Sequence, residues 1–117
     1  MSLALVFPGQ GSQSVGMLSE LAERHPIVRS TYQEAADALG YDLWELTAHG
    51  PAERLNSTEC TQPAMLAAGV ATWRAWQECG APLPEMVAGH SLGEYSALVC
   101  AGALEFPSAV ALVRERG

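Results

Sequence analysis

Gly89, Ser91 and Gly93 stand in the run "AGHSLGEY" as G-x-S-x-G, the spacing of a nucleophile elbow. A sharp strand-to-helix turn lifts a serine hydroxyl clear of the backbone. Glycines two residues to either side keep side chains away from the adjoining strand and helix. The hydroxyl then stands at a helix N-terminus, where the dipole and the free N–H groups favour developing negative charge. Such a serine suits acyl transfer through a covalent ester. The run is flanked as the motif requires, by an apolar strand-like segment before it and a helix-like segment after it.

An acyl-transferring serine needs two N–H donors for the oxyanion. The residue after the nucleophile, Leu92, supplies one, and a loop after another strand supplies the second. The opening stretch "LALVFPGQGSQSVGM", Leu3 to Met17, is a strand feeding a glycine-rich loop. A phosphate cradle does not fit it. The dinucleotide fingerprint fails at Ser14, where its third glycine belongs, and the P-loop pattern fails at Met17, where a lysine belongs. The chain contains no lysine to substitute. Small residues around Gln10 instead let a substrate oxygen approach the backbone, so the loop reads as the second half of an oxyanion cradle.

The remaining polar candidates divide by context. His90 adjoins Ser91, and neighbours leaving a strand point in opposite directions, so its ring is assigned to packing or support and not to the role of base. His25 and His49 sit in polar, loop-like stretches and are expected at the surface. Arg116 shares a helical stripe with Ala109, Leu112 and Val113, while Arg114 points elsewhere. A guanidinium on an apolar face calls for solvent, a core carboxylate or a ligand anion. Glu94, in the first turn after the elbow, complements the helix N-terminus.

The elements needed to position these residues alternate between strand and helix. Leu3 to Phe7 reads as a buried strand, followed by helices over Met17 to Arg24, Ile27 to Leu39 and Leu43 to Thr47. A long helix is expected with Thr61 as N-cap, Pro63 in its first turn and Gly80 as its stop. It is apolar nearly all round, so Trp73 and Trp76 are assigned to the core. "PEMVAGH" is a second short strand, "SLGEYSALVCAGAL" a further helix, and "EFPSAVALVRERG" a last one. This is an α/β pattern. Two strands are few for a parallel sheet with both faces covered, so the 117 residues are expected to be the N-terminal portion of a larger domain, without an internal boundary.

Composition narrows the partners. A net charge of −7, from 13 acidic residues against six arginines, argues against nucleic acid or an anionic membrane surface, and no segment reads as a membrane span. Cys60, Cys79 and Cys100 lack a CxxC pair, so reduced and buried thiols, no zinc site and a cytoplasmic setting are expected.

Taken together and in order, "FPGQGSQ", "TQPA" at Thr61 to Ala64, "GHSLGEYSAL" and the closing "RERG" resemble the malonyl-CoA:acyl carrier protein transacylases, acyltransferases of fatty acid and polyketide synthesis. The resemblance implies an α/β-hydrolase-like large subdomain with parallel strands, of which residues 1–117 would be the N-terminal part, and a ferredoxin-like small subdomain downstream. It implies Ser91 as the nucleophile, the N–H groups of Gln10 and Leu92 as the oxyanion hole, Gln62 close to the serine, and Arg116 paired with the free malonyl carboxylate. Malonyl-CoA and acyl carrier protein would be the substrates, with no cofactor beyond the CoA thioester itself. Members selective for methylmalonyl often carry glutamine where Leu92 stands. The general-base histidine would lie beyond Gly117, leaving the stretch inactive alone, and a start at Met1 fits a free-standing enzyme. An esterase or thioesterase shares the elbow, and a non-catalytic fragment is the reading from a different class; a buried arginine at position 116 favours the transferase.

Overall fold

The computed structural model describes residues 4–9, 11, 13–80, 86–89 and 91–116. Two strands, β1 (Ala4–Phe7) and β2 (Met86–Gly89), run parallel with Ala4 opposite Met86 and Phe7 opposite Gly89. Between them the chain makes a helical crossover: α1 (Ser19–Arg24), α2 (Pro26–Leu39), α3 (Leu43–His49), α4 (Ala52–Leu55) and α5 (Thr58–Glu78). After β2 come α6 (Leu92–Cys100) and α7 (Phe106–Arg116). Because the strands are adjacent and parallel, both of their C-terminal loops emerge at one edge. In open α/β sheets that edge is where ligands bind.

The core is built around α5. Cys60 to Ala68, Val70, Ala71 and Ala75 are all buried in it, and the helix packs against α2, α6 and α7. Ala64, Ala67, Ala68, Ala71 and Ala75 among them let neighbouring helices approach closely. Tyr32 of α2 is fully buried and its hydroxyl donates to the Ala64 carbonyl at 3.1 Å. Burial raises its ionisation well above the ordinary tyrosine range. The Tyr32 ring meets Trp44 edge-on at 5.1 Å.

Several boundaries differ from the expected ones for identifiable reasons. Helix α5 begins at Thr58 with Ser57 as its N-cap, one turn before Thr61. The Thr61 hydroxyl is buried and turns back onto the carbonyls of Leu55 and Ser57, which places it inside the helix. Pro63 therefore lies within the helix, where its missing N–H forgoes the bond to the Glu59 carbonyl. Helix α1 starts at Ser19 and not Met17, because Gly16 and Leu18 both take positive φ, 87° and 65°, and turn the chain there. The Gly16 N–H is tied to the Thr47 carbonyl at 2.8 Å. The four-residue α4 has no periodic signal to read, yet it buries Leu55 completely.

Trp73 and Trp76 are not core residues. Both are half-buried and line an open apolar groove of about 340 Å³ between α5 and β1, beside Phe7, Met17 and Met65. Val6 on the same strand is 73% exposed. Among the described residues β1 has a strand neighbour on one side alone. The cysteines also differ from expectation: Cys60 is buried, but Cys79 is exposed and Cys100 half-buried. No helix of the described residues is long and apolar enough to cross a membrane.

Candidate active site

Ser91 sits between β2 and α6 as the N-cap of α6, with φ 55° and ψ −113°. A residue with a side chain held there is strained by roughly 1–3 kcal/mol, and the surrounding packing shows why the turn keeps it. A Cβ placed on Gly89 would lie 1.9 Å from the Gly93 carbonyl oxygen, and one on Gly93 would lie 2.1 Å from the Phe7 carbonyl oxygen. Both glycines of the motif are therefore required by close backbone approach. The second of these contacts seats the start of α6 directly on the end of β1. The fully buried Leu92 side chain anchors the same turn. Its N–H is the first of α6 and so has no acceptor within the helix.

Side chains from three helices meet at Arg116, which reaches the exposed Ser91 hydroxyl. From the end of α7, Arg116 donates through Nη2 to Ser91 Oγ at 2.8 Å. Its Nη1 donates to Gln62 Oε1 at 3.3 Å. Gln62 comes from α5 and is 5% exposed. The Arg116 Cζ lies 5.4 Å from the centroid of the Tyr95 ring on α6. A serine oxygen, a buried amide, an aromatic face and a guanidinium thus form one cluster. Its fixed positive charge beside Ser91 Oγ favours an anion at that point.

The expected site residues are placed as follows. Ser91, Gln62 and Arg116 come together, and Leu92 follows the serine at the helix start. Gln10 and His90 lie outside the described residues. Arg116 is exposed and not on a buried face. The buried stripe of α7 is Phe106, Ala109, Val110 and Val113, and Leu112, counted into the stripe, is 45% exposed. Arg116 continues the true stripe past the end of the core, so its head reaches the Ser91 hydroxyl from solvent instead of from the interior. His25 is half-buried with Nε2 4.0 Å from Cys79 Sγ, and His49 is exposed, 4.0 Å from Glu45. Neither approaches the serine. Glu94 is exposed in the first turn of α6. Among the described residues no three His, Cys, Asp or Glu side chains converge as metal ligands would.

Nothing in the residue type of Tyr95 points to a role. Its spacing held the available signal: four residues after Ser91 is one helical turn, so the ring rises on the same face as the hydroxyl.

The acyl transferase domain family matches residues 4–117. This chain belongs to that family. Within it, the acyl transferase domain is 65% identical over 114 residues to the malonyl CoA-acyl carrier protein transacylase of Salmonella typhimurium, covering 97% of this chain and 37% of that relative. Among solved structures, an acyl carrier protein S-malonyltransferase from Vibrio cholerae superposes with a TM-score of 0.97 at 59% identity, over 99% of this chain and 38% of the other. A type II PKS acyl-carrier protein in complex with its malonyl-transacylase gives a TM-score of 0.97 at 59% identity, over 99% of this chain and 38% of that one. The acyl transferase domain described here thus spans less than two fifths of the length of these relatives, and its α/β arrangement with parallel strands matches theirs in that region.

Proposed function

We propose that this chain is the nucleophile-bearing part of an acyltransferase that moves a malonyl group from malonyl-CoA to the phosphopantetheine thiol of acyl carrier protein. Ser91 Oγ attacks the thioester carbonyl, the C–S bond breaks, and the CoA thiolate leaves and takes up a proton. The acyl group remains on Ser91 as an ester. The carrier thiol then attacks that ester, the bond from Oγ to the acyl carbon breaks, and the serine regains its proton. The N–H groups of Leu92 and Gln10 hold the oxyanion in both steps. CoA enters as a substrate, and the scheme needs no cofactor and no metal. The general base is a histidine outside residues 1–117, so these residues alone do not load at an appreciable rate. They form the N-terminal portion of an α/β-hydrolase-like large subdomain, with a ferredoxin-like small subdomain elsewhere in the protein, in a cytoplasmic setting.

The observation that supports a malonyl rather than a neutral acyl group is the guanidinium of Arg116, 2.8 Å from Ser91 Oγ. A nucleophile has no need of a permanent cation beside it to attack a neutral acyl chain. A short dicarboxylic half-ester places its free carboxylate within a few ångströms of the ester oxygen, where a planar fork of N–H donors can bind it in two-point fashion. An esterase or thioesterase of the same elbow geometry has no such requirement.

The test is to supply the natural-length protein with malonyl-CoA, with and without acyl carrier protein, and follow both free malonate and malonyl-carrier. Transfer to the carrier well above hydrolysis is the expected result. Release of malonate at the same rate without the carrier would identify a hydrolase.

A further inference from the structure

Arg116 is the last residue of α7 and exposed, so its long side chain has many rotamers to lose before it can bind anything. Two of its three contacts are poor restraints. The bond to Gln62 is long at 3.3 Å. The bond to Ser91 Oγ must be given up when that oxygen becomes the attacking atom. The third contact is of another kind. The Tyr95 ring lies against the guanidinium at 5.4 Å, and a cation–π contact tolerates sliding and rotation within the guanidinium plane. It therefore persists while the N–H groups exchange the serine for a new acceptor. The ring is itself held, being half-buried and packed on the core. It also rises from the helix that begins at Ser91, so one rigid element carries both the nucleophile and the platform for the cation. A cation–π contact engages the charge of the guanidinium and none of its N–H donors, which stay available to a carboxylate.

We propose that Tyr95 is a positioning residue for Arg116, and that through it the site prefers acyl groups bearing a free carboxylate; the proposal rests on the acyl-transfer reading of Ser91. Without the ring, Arg116 turns out to solvent and the preference collapses, although the nucleophile is untouched.

The experiment measures kcat/KM for malonyl-CoA and for acetyl-CoA in the natural-length protein and in Tyr95→Phe, Tyr95→Leu and Arg116→Ala variants, singly and with Tyr95→Leu and Arg116→Ala combined. Tyr95→Leu lowers malonyl transfer roughly two- to fivefold, the range expected for a cation–π contact at an exposed site, and leaves acetyl transfer unchanged within the error of the measurement. Tyr95→Phe keeps the ring and stays close to the parent. In the Arg116→Ala background, Tyr95→Leu has no further effect on malonyl transfer. Tyr95→Met carries the same test if the leucine variant does not fold. An equal fall for both substrates, no fall for malonyl, or an undiminished effect without Arg116 would each overturn the positioning role. A parent enzyme that accepts acetyl as readily as malonyl fails differently: it refutes the carboxylate reading before Tyr95 is reached.

Discussion

Replacing Arg116 with alanine removes the bond to Ser91 Oγ, the bond to Gln62 and the cation–π contact with Tyr95 together, while the buried stripe of α7 is unchanged because Arg116 lies beyond it. The fold should therefore survive. The effect on catalysis follows from what a malonyl carboxylate would lose. A charge-assisted hydrogen bond contributes about 1.5–3 kcal/mol, and a two-point pair exceeds a single one. The Arg116 side chain is exposed, so solvent screening pulls the sum down. A loss of roughly 2–3 kcal/mol in transition-state binding follows, a fall of roughly 30- to 150-fold in kcat/KM for malonyl-CoA. Acetyl-CoA has no carboxylate and should change by less than about threefold, because the bond from Arg116 to Ser91 Oγ is given up in any case when that oxygen attacks. Arg116→Lys should fall between, since a lysine keeps the charge but loses the planar fork. Steady-state transfer to acyl carrier protein with each thioester measures the ratio. Equal losses for malonyl and acetyl would show that Arg116 supports the turn around Ser91 and does not bind a carboxylate.

Gly93→Ala should destabilise the protein by about 3 kcal/mol or more, because its Cβ would lie 2.1 Å from the Phe7 carbonyl oxygen and neither backbone can yield cheaply; a thermal melt checks this, and an unchanged midpoint would contradict the close approach. Tyr32 ionises in the unfolded chain near pH 10 but well above that when buried, so its contribution to stability is complete below pH 10 and is lost as pH rises beyond it. Tyr32→Phe should cost about 1 kcal/mol at neutral pH by losing the bond to Ala64, yet should flatten the alkaline decline, as denaturant titrations at pH 8 and pH 11 would show. Burial pushes the Cys100 thiol up to about 12, against a smaller opposing pull from Arg74, so iodoacetamide at pH 8 should label exposed Cys79 well before Cys100. Equal labelling of the two, read by peptide mass, would contradict that burial.

Much of the site was legible in the sequence because its residues obey backbone rules. The G-x-S-x-G run specifies a strained turn, and the two glycines are where the strand and the helix nearly touch. The parallel strands could be read from short apolar runs, and their adjacency brings the two loops to one edge. What failed was whatever depends on which side of a helix is covered. Helix α5 is apolar nearly all round, so periodicity said nothing of the groove that Trp73 and Trp76 line. In α7 the candidate stripe held the exposed Leu112 where the buried one has Phe106 and Val110, and Arg116 lies at the rim and not in the interior. The cluster of Gln62, Tyr95 and Arg116 joins three helices, and no spacing within one helix encodes a contact between them. Thr61 resembled an N-cap by residue type alone. Its hydroxyl bonds backward to carbonyls within the fold, a choice set by burial.

A covalent malonyl group at Ser91 is the intermediate on which the proposed reaction depends. The most direct measurement incubates the natural-length protein with malonyl-CoA, quenches it with acid, and reads the intact mass and the peptide map. One malonyl ester is predicted, on the peptide that holds Ser91, and it is absent from Ser91→Ala. A malonyl adduct of equal yield in that variant, or one carried by another residue such as the exposed Cys79, would contradict the account.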